Sequence, residues 1–280
     1  MQGMLYLCAT PIGNLEDITL RVLRILKEVD LIAAEDTRNS IRLLNHFEIK
    51  TPLTSYHEFN KIEKADYLVE KMREGANIAL ITDAGTPAIS DPGEELVKKC
   101  YESGIEVTSL PGACACITAL TLSGLSTRRF CFEAFLPKDK RMRTEILSEL
   151  SKETRTIIVY EAPHHLVATL KELNQALGMR RITVLRELTK RFETAWKTDF
   201  EQAIDFYNET LPKGECVIVI EGKDRAEIKQ EKQEKWCSLS LKEHMQYYED
   251  QEMERKEAMR QVGKDRGMTK REVYQKLLDL

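Results

Sequence analysis

Apolar positions in the first 112 residues fall into two alternating rhythms. Short apolar runs, LYLCA (5–9), LIAA (31–34), NIALIT (77–82) and IEVTSL (105–110), have the length and content of buried strands. Between them the apolar spacing widens to three and four. Ile18, Val22, Ile25, Leu26 and Val29 share one face of a predicted helix, with Asp17 as its N-cap. Further helices are predicted over 38–47, in ADYLVEKMREG closed by Gly75, and in GEELVKKCYESG closed by Gly104. Pro111 and Gly112 open an alanine-rich helix in PGACACITAL. Strand–helix alternation at this spacing predicts an α/β domain with a mostly parallel sheet.

After about residue 124 the rhythm changes, within the usual boundary error. RFCFEAFL alternates like a half-exposed strand, and TRTIIVYEA, RRITVLREL and GECVIVIEG are further strands. Helices are predicted between them at 140–151, 163–177 and 199–209, making a second α/β domain of more mixed strand order. KDRAEIKQEKQEKW reads as a polar linker, and the rest as helical. There, MERKEAMRQVGKDRG is a helix stopped by Gly267, and TKRE places Thr269 and Glu272 in a capping box. Two short helices across such a turn resemble a helix-turn-helix, which either grips nucleic acid or packs on its neighbour domain. The division drawn is 1–112, 113–224 and a helical tail, 225–280. No internal repeat or low-complexity tract interrupts it.

Composition narrows the class. A chain of 280 residues, 42% hydrophobic and 31% charged, is long enough for two cored domains and reads as soluble and globular. A net charge of −4 argues against a strongly basic nucleic-acid binder, although residues 254–280 hold eight Lys+Arg against five Asp+Glu. No run has the length of a membrane span, and MQGMLYLCATPIGN lacks the features of a signal peptide. Seven scattered cysteines without a CxxC pair suggest reduced thiols and a cytoplasmic location. The five histidines show no ligand spacing, and the adjacent His164 and His165 point different ways, so no metal is expected.

Four unusual loops follow strands: ATPIGN, EDTR, DAGTPAISDPG and PGACA. One alone would be ordinary turn chemistry. Four at carboxyl ends of strands converge where open α/β sheets bind ligands. Neither GxGxxG nor GxxxxGK[ST] is present, and the loops carry carboxylates. That suits a cationic or neutral ligand held by backbone groups better than a pyrophosphate.

ATPIGNLEDIT, LIAAEDTR, ITDAGTPAISDPG, LPGACA, FEAFLPK, YEAPHH, RELTKRFE and KGECVIVIEG occur in this order over residues 4–222, with KREVY beyond them. Together they resemble the ribosomal RNA small subunit methyltransferase I family of the tetrapyrrole methylase superfamily. The resemblance implies two α/β domains with a cofactor cleft between them, S-adenosylmethionine as methyl donor, and a homodimer. It implies 2′-O-methylation of a cytidine in the decoding region of 16S rRNA, as free rRNA or in the small subunit. The cofactor carries a sulfonium, an amino-acid end and an adenosine but no phosphate, in keeping with the loop chemistry. Ala84, Gly85, Thr86 and Pro87 are then a backbone wall, with Ile89 adding apolar contact and Ser90 a hydrogen bond. Asp83 binds a loop amide, binds the cofactor, or fixes its own turn. Pro11, Ile12 and Gly13, then Ala113, Cys114 and Ala115, and Tyr160 complete the expected cofactor set. Many superfamily members have serine or threonine where Cys114 stands, so a buried small thiol is the plainer reading there.

A ribose hydroxyl is a poor nucleophile, and a base removes its proton as the new bond forms. Glu35 and Asp36 of EDTR, Glu161 of YEAP, and Arg186, Glu187 and Lys190 of RELTK sit at expected strand ends. The order of preference is Glu187, Lys190, Glu35. Arg186 with Glu187 reads equally as a structural ion pair, and Lys190 equally as a phosphate contact. Lys138, Lys140, Arg141 and Arg143 in LPKDKRMR form a basic loop for RNA, with Arg128 and Arg129 close in sequence. By itself such a run is more often a solvated face. The competing functions are methylation of a tetrapyrrole or other small molecule, and a non-catalytic rRNA-binding assembly factor.

Overall fold

Five parallel strands, β1 (Met4–Cys8), β2 (Leu31–Ala34), β3 (Leu53–Ser55), β4 (Ile78–Ile81) and β5 (Glu106–Leu110), form a sheet in the order β3-β2-β4-β1-β5. The structure is a computed structural model that describes residues 2–279. Helices cover both faces, which is why β4 is apolar and buried at every position. On one face Val22 and Leu26 of α1 (Leu20–Glu28) and Leu44 of α2 (Thr37–His46) pack on Ile32, Ala79 and Ile81. On the other, Leu68 and Met72 of α3 (Lys61–Arg73) and Leu96 of α4 (Gly93–Glu102) pack on Leu5, Ile78 and Leu80. The chain after β1 runs to β2 through α1, and the chain after β4 runs to β5 through α4, on opposite faces. The loops after β1 and β4 therefore part at the switch point of the sheet. One local expectation is corrected. The cap of α1 is Thr19, whose Oγ accepts from the Val22 amide at 3.1 Å, while Asp17 lies in a preceding 3-10 turn capped by Asn14. The three-residue β3 was too short for its periodicity to show.

The second sheet has the order β6-β7-β10-β8-β9, from β6 (Phe130–Phe135), β7 (Thr156–Glu161), β8 (Arg181–Arg186), β9 (Thr194–Asp199) and β10 (Cys216–Ile220). Only β6 and β7 are parallel, so the strand order is mixed, as expected. One face carries α6 (Lys140–Leu150), α7 (Leu166–Leu177) and α8 (Phe200–Glu209). The other is covered by α5 (Ala115–Ser123), whose Cys116, Ala119 and Leu120 pack on Ile158, Leu185, Val217 and Val219. This helix starts at Ala115, with Cys114 as N-cap, later than Pro111 and Gly112 suggested. The unforeseen β9 is an edge strand with no fully buried residue, and Thr194, Ala195 and Lys197 lie in solvent.

The stretch 223–236 is not a linker. It is largely α9 (Arg225–Cys237), begun by Asp224, whose carboxylate accepts from the Ala226 amide at 2.8 Å. Its Glu, Lys and Gln residues are strong helix formers, and polarity alone had hidden that. Then α10 (Leu241–Glu249), α11 (Arg255–Arg266) and α12 (Lys270–Leu278) enclose Leu241, Met245, Ala258, Met259, Val262 and Val273. Gly267 closes α11 at φ +68°, and the Thr269–Glu272 capping box opens α12, both as expected. Among the described residues no helix is long and apolar enough to cross a membrane.

Candidate active-site cleft

A cavity of about 310 Å³ lies between the carboxyl edge of the first sheet and the second sheet. Its first wall is built by the loops after β1, β2 and β4, which are tied to one another. Thr10 and Gly85 exchange two backbone hydrogen bonds (2.9 and 3.0 Å), and Thr10 Oγ1 donates to the Thr82 carbonyl at 3.1 Å. Thr82 Oγ1 donates to Glu35 at 2.7 Å, and Asp83 Oδ1 accepts the Asp36 amide at 3.2 Å. Thr86 Oγ1 reaches the Ala113 carbonyl at 2.9 Å and so joins the first half to the segment before α5. Asp83 thus binds a neighbouring loop's amide. Its own loop is fixed by Asp91, whose Oδ1 accepts from Ala88 (3.0 Å) and Gly93 (2.7 Å).

The backbone of this loop is held in sparsely populated conformations. Gly85, Ala88 and Ser90 all have positive φ (+89°, +65°, +63°). Two of these are not glycine, and such strain persists only where surrounding bonds over-determine it. At Gly85 a Cβ would also meet Ile12 Cγ2 at 3.3 Å. On this wall Ile12, Asp83, Ala84, Gly85, Thr86, Ile89 and Ser90 line the cavity, as does Glu35. Pro11, Gly13, Pro87 and Ala113 do not line it. Pro87 is buried behind it, and Gly13 is pressed against the side chain of Lys190. Two carboxylates, Glu35 and Asp83, therefore face one hollow. Desolvation and then the charge of Glu35 raise the Asp83 pKa above its ordinary value, although its residue surface is open to the cleft.

The second wall holds Cys114, Ala115, Tyr160, Glu187 and Lys190. Tyr160 is set edge-on against Phe132 and Phe135, with ring centroids 4.8 and 5.7 Å apart, and burial raises its phenol pKa. Glu187 accepts from Lys190 Nζ at 2.9 Å, and Glu187 and Thr189 again have positive φ (+52° and +64°). The Glu187 carboxylate lies over Gly214 so closely that any Cβ there would overlap it. The ion pair considered between Arg186 and Glu187 is absent. The Arg186 guanidinium instead lies 6.0 Å from the centroid of the Tyr207 ring, because successive residues leaving a strand point apart. Glu161 is not in the cleft either. It is buried, accepting from Thr169 Oγ1 (2.5 Å) and the Ala162 amide (2.8 Å). Asp36 turns away to cap α2 and pair with Arg38, whose hydrogen bonds lower its pKa to about 2.

Thr82, Asp91, Phe135, Leu188 and the run Glu215, Cys216, Val217 line the cavity without having been expected there. Glu215 immediately precedes β10, and Cys216 and Val217 begin this strand, which is antiparallel to β7 and β8. Its amino end therefore lies beside their carboxyl ends, and a search of carboxyl ends alone passes over it.

The basic residues separate into three groups. Lys138, Lys140 and Arg141 are exposed, just beyond Phe135 at the cleft. Arg143 is different. Its guanidinium binds Glu172 (2.5 Å), Thr169 Oγ1 (2.9 Å) and the Pro137 carbonyl (3.3 Å), so it fastens α6 to α7 and has little left for RNA. Arg128 and Arg129 are close to the loop only in sequence. They precede β6, and a six-residue strand sets them ~20 Å from its far end. There they line a separate hollow with Arg155, Arg180 and Arg181. Among the described residues no group of three or more His, Cys, Asp or Glu is placed to hold a metal ion.

Comparison with known proteins agrees with this architecture. The profile of the Tetrapyrrole (Corrin/Porphyrin) Methylases matches residues 4–204. The ribosomal RNA small subunit methyltransferase I of Synechocystis sp. is 47% identical, over 99% of this chain and 98% of that protein. The protein of the same name from Bacillus subtilis is 46% identical, over 97% and 93%. Among solved structures, a diphthine synthase superposes with a TM-score of 0.65 at 14% identity, covering 79% of this chain and 90% of that one. A uroporphyrin-III-C-methyltransferase from Thermus thermophilus gives 0.56 at 20% identity, over 79% and 94%. At these identities the two structures speak to the fold alone.

Proposed function

Since this chain belongs to the ribosomal RNA small subunit methyltransferase I family of tetrapyrrole methylases, we propose that it uses S-adenosylmethionine to methylate the 2′-oxygen of a cytidine in the decoding region of 16S rRNA. The observation that carries the reading is the cleft itself. It is a strained, backbone-lined hollow at a sheet switch point, with Glu35 and Asp83 on its first wall and Glu187 on its second, and an exposed basic segment leaves its rim.

The donor set fits the cofactor. Ala84, Gly85 and Thr86 offer backbone groups, Ile12, Ile89 and Tyr160 offer apolar surface, and Ser90 offers a hydroxyl. Asp83 and Glu35 favour a cation in the hollow. Bound there, S-adenosylmethionine supplies an electrophilic methyl group on a positive sulfur. The chain's task is to hold the ribose hydroxyl in line and to receive its proton, and alignment alone accounts for much of the acceleration. Glu187 is our first choice as base, because its carboxylate is fixed by Lys190 and by Gly214 beneath it. Lys190 ranks second, its charge serving either Glu187 or an RNA phosphate, and Glu35 ranks third on the opposite wall. Lys138, Lys140 and Arg141 receive the RNA backbone, while the extruded nucleotide enters the cleft.

The same proposal includes a homodimer, a cytoplasmic location and folding units at 1–112, 113–224 and 225–280. Light scattering and limited proteolysis test the dimer and the units. The central test is transfer of a labelled methyl group to assembled small subunits, naked rRNA and tetrapyrroles side by side. Label is expected on one cytidine ribose. Label on a tetrapyrrole alone would make the chain a small-molecule methylase, and rRNA binding without cofactor binding would make it an assembly factor.

A further inference from the structure

Two sulfurs in the second wall are not used by the reaction above. Cys114 is half-buried and lines the cleft, and Cys116 is 4% exposed behind it, with their sulfurs 3.4 Å apart. Cys114 is the N-cap of α5, where the first amides of the helix favour a negative sulfur. The hydrogen bond between the two sulfurs comes first among the effects that pull the Cys114 pKa below the ordinary thiol value, against the opposing effect of burial. Burial pushes Cys8, Cys100, Cys131 and Cys216 the other way. The same bond, and then burial, raises Cys116. The two thiols thus have unequal character at contact distance, one open to the cleft and one enclosed.

We propose that Cys114 and Cys116 are a thiol-exchange pair for small-molecule disulfides, with Cys114 attacking and Cys116 resolving. The Cys114 thiolate attacks one sulfur of RS–SR. That S–S bond breaks, a mixed disulfide forms on Cys114, and RS⁻ leaves with the electron pair. The Cys116 sulfur gives up its proton and attacks Cys114, which expels the second RS⁻ and closes a Cys114–Cys116 disulfide. The cysteines lose two electrons, the small disulfide gains them, and the two released protons end on the two RSH products. Closing the bond draws the sulfurs from 3.4 Å to ~2.05 Å. That shift falls on the wall where, on the reading above, the cofactor rests. Oxidation therefore weakens cofactor binding, and bound cofactor shields Cys114.

The test incubates the full chain with oxidised glutathione, with and without S-adenosylhomocysteine, and then alkylates the remaining thiols. Trypsin with a Glu-specific protease frees residues 107–128, which contain Cys114 and Cys116 and no other cysteine. In the wild type this peptide should lose two hydrogens and regain them with dithiothreitol. Cys116→Ser should accumulate glutathione on Cys114, and Cys114→Ser should show neither product. Calorimetry on the oxidised wild type should show S-adenosylhomocysteine binding weakened about tenfold or more. A Cys114→Ser protein that still takes up glutathione on this peptide, or a Cys116→Ser protein that takes up none, overturns the pair. If S-adenosylhomocysteine binds normally to the reduced protein and no disulfide forms, the thiol proposal fails alone. If the disulfide forms equally fast at saturating S-adenosylhomocysteine, the placement of the cofactor fails and the thiol pair stands.

Discussion

Gly85→Val tests where the backbone wall of the cleft lies. Gly85 is buried at φ +89°, and both its N–H and its C=O bond to Thr10. A Cβ would sit 3.3 Å from Ile12 Cγ2 and 3.5 Å from the Ala113 carbonyl oxygen. Alanine therefore almost fits in space, but the left-handed backbone costs it about 1–2 kcal/mol. Valine adds two methyl groups to the same gap, and overpacking of that kind costs about 1–3 kcal/mol more. Relief comes from pushing Ile12 aside or from loosening the Thr10 bonds, at about 1 kcal/mol each. Every one of these movements lands on the cleft. Binding of S-adenosylmethionine, read by calorimetry, should weaken about tenfold in Gly85→Ala and about a hundredfold or more in Gly85→Val. Circular dichroism should stay native, because Gly85 lies outside both cores of its sheet. A valine variant that binds the cofactor as tightly as the wild type would put the site elsewhere. Unfolding of both variants would make the loop a determinant of the fold instead.

Glu187→Gln should slow single-turnover methyl transfer much more than it weakens cofactor binding, and a rate equal to the wild type would leave the Lys190 pair a structural role. Changing Lys138, Lys140 and Arg141 together to alanine should lower the log–log salt slope of rRNA binding by about 2, from ~0.7–0.9 per phosphate contact. An unchanged slope would mark the run as a solvated face. Arg143→Ala should leave that slope alone and instead cost about 2 kcal/mol of stability, seen as a lower melting temperature, since it releases Glu172 and Thr169. The raised Asp83 pKa gives a pH signature. The fold binds that proton more tightly than the unfolded chain, so this contribution to stability is present below the ordinary carboxylate range and is lost as pH rises through the raised value. A cationic ligand needs the carboxylate, so cofactor affinity should fall on acidification, beginning above the ordinary Asp range. Asp83→Asn should remove that dependence, and an acid limb that persists in Asp83→Asn would assign it to another group.

Periodicity was enough to place β1, β2, β4, β5 and the helices of the first sheet, because a strand buried on both faces and a helix buried on one leave different local patterns. The glycines and prolines of ATPIGN, DAGTPAISDPG and PGACA were equally legible, since their conformational demands act within a few residues. The resemblance carried by the ordered motifs identified the family from the chain alone. Other features depended on partners distant in sequence. Whether Glu187 meets Arg186 or Lys190, and whether Arg143 faces RNA or Glu172, is decided by which helix or loop packs alongside. Glu215, Cys216 and Val217 reach the cleft because β10 runs antiparallel, and no local pattern encodes strand direction. Arg128 and Arg129 sit beside the basic loop in sequence and a strand's length away in space. The polar stretch 223–236 became helix on intrinsic propensity and an Asp224 cap, a signal that was present in the sequence but masked by the lack of an apolar stripe. Local chemistry sets the shape of each loop, whereas the meeting of loops from two sheets, and so the cleft itself, exists only once both cores have formed.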